Sequence, residues 1–161
     1  MNEYVLEESL REEGKITIEP LKQWYCDNCE EIIQSADKGW LEWLRNINDD
    51  KEYNFRIVHH SSECMYDDRN MKDYVTKDMH LQHYTGADGL SRLLEILLRN
   101  KVDSKEVVHI IRRLHAPFYE QSLLYRDVAK EDNYFSGDPE LYFTVSENLN
   151  IIKEYAIKNS Y

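Results

Sequence analysis

The stretch that decides the fold is Gln23-Trp24-Tyr25-Cys26-Asp27-Asn28-Cys29-Glu30-Glu31-Ile32-Ile33-Gln34. Two cysteines stand between an aromatic segment and an isoleucine-bearing segment, both suited to extended backbone. The pair therefore falls at the bend of a short hairpin. The third and last cysteine, Cys64, follows His59-His60, and the residues before those histidines, Tyr53-Asn54-Phe55-Arg56-Ile57-Val58, read as another strand. Both groups of soft side chains are thus expected at strand ends.

Compartment decides how the cysteines are read. The start, Met-Asn-Glu-Tyr-Val-Leu-Glu-Glu, is acidic where a signal peptide is basic and then apolar, and no apolar run approaches the ~20 residues that span a bilayer. A cytoplasmic, membrane-free protein is the expectation. Cytosolic disulfides are rare, and 3 cysteines cannot all pair within one chain. Metal ligation accounts for the count: three thiolates and one imidazole complete a tetrahedral zinc site.

The metal ligands expected are Cys26, Cys29, Cys64 and either His59 or His60. Strand alternation sends the two imidazoles to opposite faces, so one of them ligates. The tighter His60-x3-Cys64 spacing favours His60 over His59-x4-Cys64, and sequence separates them no further. Thirty residues (30 to 59) lie between Cys29 and His60, more than the ~15 to 20 between the two pairs of a compact zinc motif. The polar connection from Asn46 to Lys51 absorbs the excess.

With Cys26-Asp27-Asn28-Cys29 and the His-Cys pair as its motifs, the region from about 16 to 66 resembles zinc ribbons and treble-clef-like modules. It departs from the commonest ribbon in two ways. The second knuckle is not a Cys-x-x-Cys, and no glycine follows Cys29. The resemblance implies a structural Zn2+ held by a small antiparallel β module.

Outside that region the pattern changes. Ile16-Thr17-Ile18 reads as a short strand that Pro20 stops, and Trp40-Leu41-Glu42-Trp43-Leu44 as a strand apolar on both faces and so covered on both. Residues 65 to 80 give no clear periodicity. A helix capped by Asp88 would carry the stripe Leu90, Leu93, Leu94, Leu97 and Leu98. Asp103 and Glu106 begin a second helix, with Val107, Ile110, Ile111 and Leu114 inside. Pro117 suits the first position of a third helix whose inner face is Phe118, Leu124, Tyr125 and Val128. A loop over 133–139 precedes a last helix bearing Val145, Leu149, Ile152, Tyr155 and Ala156. The fold class expected is α+β: a zinc-ribbon-like β module packed on a C-terminal bundle of three or four helices. Its divisions are an acidic segment 1–14, the metal module 15–66 and a helical part 67–161 packed on it, one compact domain overall.

Charge bears on partners. Asp and Glu number 31 against 20 Lys and Arg, a net charge of −11 over 161 residues, and such a field repels phosphate backbones. Arg112-Arg113, with His109 and His115, reads as a solvated helical stripe. The function expected is that of a non-enzymatic, zinc-stabilised interaction or regulatory protein with a protein partner, homo-oligomerisation being open. Tyr53, Tyr66, Tyr74, Tyr134 and Tyr142 are candidates for its contact surface.

The same residues admit other readings. Val58-His59-His60 resembles the strand motif of His-Asn-His metal-dependent nucleases, with His80 or His83 as the later ligand, which implies a hydrolase. The resemblance is two or three residues deep, and the acidic charge opposes DNA. An acidic protein could instead mimic nucleic acid and block a DNA-handling enzyme. A thioredoxin-like role for the Cys-x-x-Cys needs βαβ units, which do not surround it. Met65-Tyr66-Asp67-Asp68-Arg69 lacks the oxygen spacing and glycine of a calcium loop.

Overall fold

The computed structural model describes residues 18–135 and 146–159. The expected acidic segment 1–14, most of the strand at Ile16-Thr17-Ile18, Val145 and Tyr142 lie outside them. The structure is α+β, with two small antiparallel sheets and five α-helices among the described residues. It divides into two compact units, one of Leu21–His115 and one of Met1–Pro20 with Ala116–Tyr161. The sequence pattern divides the chain between 66 and 67. In the structure the residues just after 66 supply a strand and two helices to the same unit as the cysteines.

In the first unit, β1 (Trp24–Tyr25) pairs with β2 (Ile32–Ile33), Trp24 lying opposite Ile33. The Cys-x-x-Cys is the bend between them, as the sequence suggests. The larger sheet has the order β4-β3-β5, with β3 (Gly39–Asn46) between β4 (Glu52–His59) and β5 (Tyr74–His80). Gly39 lies opposite His59 and Leu41 opposite Ile57, and the register shifts between Glu42 and Leu44. Central position explains why β3 is apolar on both faces. Leu41, Glu42, Trp43 and Leu44 are all buried.

The β3–β4 turn shows why its sequence is rich in Asn and Asp. The Asn46 side chain accepts from the Asn48 and Asp49 N–H groups, Asp49 accepts from the Lys51 N–H, and Asp50 takes a positive φ of 58°. Short polar side chains satisfy a turn's backbone locally and tolerate that conformation. The turn's position brings His59 back beside the first hairpin.

Two helices follow, α1 (Gly86–Leu98) and α2 (Ser104–His115). The phase of α1 differs from the expected leucine stripe. Gly89, Leu93 and Ile96 are buried, whereas Leu94 and Leu98 are exposed. Gly89 sets this phase, because a Cβ there would stand 2.0 Å from the Tyr84 carbonyl carbon. The helix starts before Asp88, which lies in its first turn. In α2, the Asp103 carboxylate accepts from the Lys105 N–H at 2.9 Å, an N-cap bond, and Val107, Ile110 and Leu114 are buried as expected. These residues join Trp24, Ile33, Leu41, Trp43, Ile57, Leu81, Leu93 and Ile96 in one core.

In the second unit, Phe118, Tyr119, Leu149, Ile152 and Ala156 form a separate apolar cluster. The expected third helix is two short ones, α3 (Tyr119–Ser122) and α4 (Arg126–Glu131). Pro117 lies in the turn before them, Phe118 has a φ of 67°, and Leu124 and Val128 are exposed rather than inward. The last helix, α5 (Ser146–Lys158), buries Leu149, Ile152, Tyr155 and Ala156 as its spacing predicts. No described helix is long and apolar enough to cross a membrane.

Candidate metal centre

Cys26, Cys29, His59 and Cys64 each offer one ligand atom, and the four atoms lie within 4.8 Å of one another. The hairpin supplies the first two, the end of β4 the third and the turn after it the fourth. Cys29 Sγ stands 3.3 Å from His59 Nδ1, and Cys64 Sγ stands 3.9 Å from the same nitrogen. Zinc binds sulfur at about 2.3 Å and imidazole nitrogen at about 2.0 Å, so ligands on a tetrahedron stand about 3.5 to 3.8 Å apart. The observed separations bracket that edge.

The second imidazole nitrogen fixes the first. His59 Nε2 lies 3.1 Å from the Ile32 carbonyl oxygen, so that nitrogen carries the proton and donates it. Nδ1 is left with a lone pair facing the thiols. A backbone carbonyl behind a metal-binding histidine is a usual way to set the tautomer and ring plane. The structure thus places His59, not His60, at the cluster. The His60 ring is exposed and packs edge-on to Trp40 with centroids 4.5 Å apart. His80 stacks on the other side of that group, 4.4 Å from Trp40 and 4.9 Å from His60, and His83 lies 6.5 Å from His80.

Backbone and charge tune the sulfurs. Burial raises the Cys26 thiol, but the N–H groups of Cys29, Asn28 and His59, with the His59 side chain, overcome it and bring the pKa down to about 7. Burial and the neighbouring Cys29 and Cys26 sulfurs push Cys64 the other way, to about 11. Crowding among the sulfurs thus opposes ionisation at Cys64. A divalent cation at their centre reverses that by supplying the missing positive charge.

The knuckles are held by residues to which the sequence pattern gives no such role. Asp27, inside the Cys-x-x-Cys, donates its N–H to the Ile57 carbonyl at 2.8 Å, and its carboxylate accepts from the Ile57 N–H at 2.7 Å. The buried Arg113 of α2 donates to that carboxylate at 2.7 Å and to the Tyr25 carbonyl at 3.0 Å. Arg113 is therefore no solvated stripe residue. Asn28 Nδ2 reaches across to the Glu63 carbonyl at 3.3 Å, linking the two knuckles.

A second ion pair braces the other knuckle. Arg56 donates to the fully buried Glu42 carboxylate at 2.6 Å and to the Cys64 carbonyl at 2.9 Å. Glu42 also accepts from the Tyr66 N–H at 3.1 Å, and the Arg56 guanidinium lies 3.6 Å from the Tyr66 ring centroid. The turn itself is built on Ser61, whose carbonyl accepts from the N–H groups of Cys64 and Met65. Glu30, where a glycine would follow the second thiol of the commonest ribbon, takes a φ of 65°.

Comparison with known protein families, characterised proteins and solved structures gives no match for this chain. The site's meaning therefore rests on its own geometry. The described residues bring together all three predicted cysteines and one of the two predicted histidines. Tyr53, Tyr66, Tyr74 and Tyr134 are all half-buried. The Tyr53 hydroxyl donates to Asp49 and that of Tyr66 to the Asn54 carbonyl.

Proposed function

We propose that Cys26, Cys29, His59 and Cys64 hold one structural Zn2+ in a zinc-ribbon-like module, and that the protein is a non-enzymatic interaction or regulatory protein built on it. The observation that carries this reading is the His59 imidazole, held by the Ile32 carbonyl with Nδ1 among three sulfurs. With three thiolates and an imidazole around it, the ion has a closed shell and no position for a reacting water. It acts as a clamp. The strand ends, the first hairpin and α2 are joined through it and through the Asp27–Arg113 and Glu42–Arg56 pairs.

A closed site favours binding over hydrolysis as the role of the whole. The hydrolytic alternative would have His59 or His60 activate water, whereas both nitrogens of His59 are engaged in the arrangement just described and His60 packs against Trp40. The net charge of −11 suits a basic protein surface as partner.

Native mass spectrometry and X-ray absorption at the zinc edge test the proposal on the purified chain. The expected result is one zinc per chain with a sulfur-to-nitrogen ratio of three to one. A water-bearing open site, or a magnesium-dependent hydrolytic activity, would sink it.

A further inference from the structure

Strand β5 is an outer strand of the β4-β3-β5 sheet, so one side of its backbone pairs with no other strand. The register says which peptide groups lie on that side. The Ile47 N–H donates to the Asp73 carbonyl at 2.9 Å, one step beyond the Asn46–Tyr74 pair, and hydrogen-bonded and non-hydrogen-bonded pairs alternate along an antiparallel ladder. Val75, Lys77 and Met79 therefore turn their peptide groups toward β3, while Tyr74, Thr76 and Asp78 turn theirs outward. The Thr76 N–H agrees with this phase, since it donates to the Asp68 carboxylate at 2.8 Å. Past that cap the edge is open. The Thr76 carbonyl and the N–H and carbonyl of Asp78 have no hydrogen-bond partner among the described residues.

A groove of about 410 Å³ lies beside this edge, between β5 and α1. Trp43, Tyr84 and Ile96 form its buried floor, and the exposed Lys77 and Met79 stand along its strand side. Asp78 is opposite Glu42 in the ladder and shares its face, the reverse of the face that carries Trp43, Lys77 and Met79. Asp78 nevertheless borders the groove, so the groove reaches the open backbone edge at this residue. Neither Lys77 nor Asp78 has an ion pair among the described residues. Unpaired edge groups beside an apolar trough match an extended segment, whose backbone bonds supply affinity while its alternate side chains supply specificity.

We propose that β5 docks an extended segment of a partner protein, which adds as an antiparallel fourth strand and carries the pattern apolar, basic, acidic. The basic residue lies opposite Asp78: its N–H donates to the Asp78 carbonyl, its carbonyl accepts from the Asp78 N–H, and its side chain meets the free carboxylate. The residue before it lies beside Met79 and sends an apolar side chain to the groove. The residue after it sets a carboxylate beside Lys77, and the next one donates its N–H to the Thr76 carbonyl. Apolar and opposite-charge neighbours across strands are the contacts that stabilise a β pair. Two copies of β5 match less well. Pairing them about Lys77 or Asp78 sets like charges opposite each other, and pairing them about Thr76 breaks both Asp68 caps. The proposal deepens the interaction reading above and rests on it, and it involves none of the metal ligands.

The test is an NMR titration of the purified full chain with the capped peptide Thr-Val-Ile-Lys-Glu-Val-Thr, following the Asp78 amide and the Met79 methyl group. Both signals should move, and the Asp78 amide should exchange more slowly with solvent. N-methylation of the peptide lysine removes the N–H that the Asp78 carbonyl accepts, and should weaken binding about tenfold or more. N-methylation of the glutamate, whose N–H points away from β5, should weaken it less than about threefold. Asp78→Lys should reverse the preference, so that a peptide with glutamate in place of the lysine binds about threefold or more tightly than the original. The N-methyl comparison on the unaltered chain decides the matter if that variant fails to fold. No shift at millimolar peptide, equal weakening by the two N-methyl groups, or an unreversed preference in folded Asp78→Lys overturns the proposal. So does a dimer in sedimentation that protects the Asp78 amide without peptide, which gives the edge to a second copy. Zinc stoichiometry and coordination are unaffected by any of these outcomes, so the two readings fail separately.

Discussion

Arg113 and Asp27 stand 86 positions apart in sequence, yet the Arg113 guanidinium meets the Asp27 carboxylate at 2.7 Å. This pair fastens the two-residue loop between Cys26 and Cys29 to the last turn of α2. Arg113 also donates to the Tyr25 carbonyl, and its own carbonyl accepts from the Trp24 indole N–H at 3.0 Å. Arg113→Ala leaves the Asp27 carboxylate and the Tyr25 carbonyl short of their donor. Asp27 is a third exposed, which brings the loss below the ~3 to 5 kcal/mol of a fully buried pair, to about 2 to 3 kcal/mol in urea unfolding. Chelator competition should show zinc held about 10- to 100-fold less tightly, the usual effect of removing an outer-shell support. Unaltered zinc affinity would show that the pair braces the helix alone.

His59 and His60 make the sharpest comparison, since they are neighbours with opposite fates. His59→Ala removes an imidazole whose two nitrogens face the thiols and the Ile32 carbonyl. His60→Ala removes a ring that packs on Trp40. Zinc content measured by atomic emission should fall in the first variant and stay at one per chain in the second. The second should cost no more than about 1 kcal/mol, the worth of an exposed aromatic contact. The reverse pattern of zinc content would return the assignment to His60.

Sequence spacing favours His60, whereas the structure gathers His59 with the three thiols. Spacing to Cys64 counts bonds along the chain, whereas the structure selects by register: His59 is the last residue of β4, opposite Gly39, and its ring is caught by a carbonyl of the other hairpin. The Cys-x-x-Cys bend, β3, β4 and the presence of two helices after Thr85 were legible, because each carries a strong period or a turn signal. Strand β5 was not. Its edge position leaves Val75 and Met79 exposed among Thr76, Lys77 and Asp78, so no apolar face marks it. The phase of α1 was hidden because leucines occupy both sides of the helix, and only the contact of Gly89 with Tyr84 chooses between them. Arg113 looked solvated because a pattern of charges cannot reveal an acceptor 86 positions away.

Glu30 offers a stabilising change. Its φ of 65° is the left-handed region, which costs an L-residue about 1 to 2 kcal/mol, and Glu30 is exposed. Glycine relieves that cost but loses about 0.4 to 1 kcal/mol through the greater freedom of the unfolded chain. Glu30→Gly should therefore raise the urea midpoint, by about 0.5 to 1 kcal/mol in stability, with zinc still bound. A lowered midpoint would show that the Glu30 side chain contributes more than its backbone costs.

Gly89 and Gly86 sit three positions apart and should respond differently to alanine. A Cβ at Gly89 would meet the Tyr84 backbone at 2.0 to 2.6 Å, and backbone cannot move aside as a flexible side chain can. Overpacking of this kind costs about 1 to 3 kcal/mol, and Gly89→Ala belongs at the upper end. Gly86 has open space around it but a φ of 67°, so Gly86→Ala should cost about 1 kcal/mol from conformation alone. Thermal unfolding of both variants gives the comparison. Equal losses would mean that α1 shifts freely against Tyr84.

Glu42 predicts a pH dependence of definite sign. Burial raises its carboxyl pKa above the ordinary 4.5, and the Tyr66 N–H and Arg56 only partly oppose this. The folded state therefore holds the proton more firmly than the unfolded state does. That contribution is fully present below the ordinary carboxyl pKa and is lost as pH rises through the folded value. Glu42→Gln keeps the shape and cannot titrate, so whatever Cys26, Cys29 and Cys64 contribute is shared by both proteins and cancels in their difference. The stability of the natural chain minus that of Glu42→Gln should decline as pH is raised from about 4 to about 7. Denaturant unfolding at three or four pH values across that range measures it. A difference that grows with pH would mean that Arg56 outweighs burial and holds Glu42 ionised.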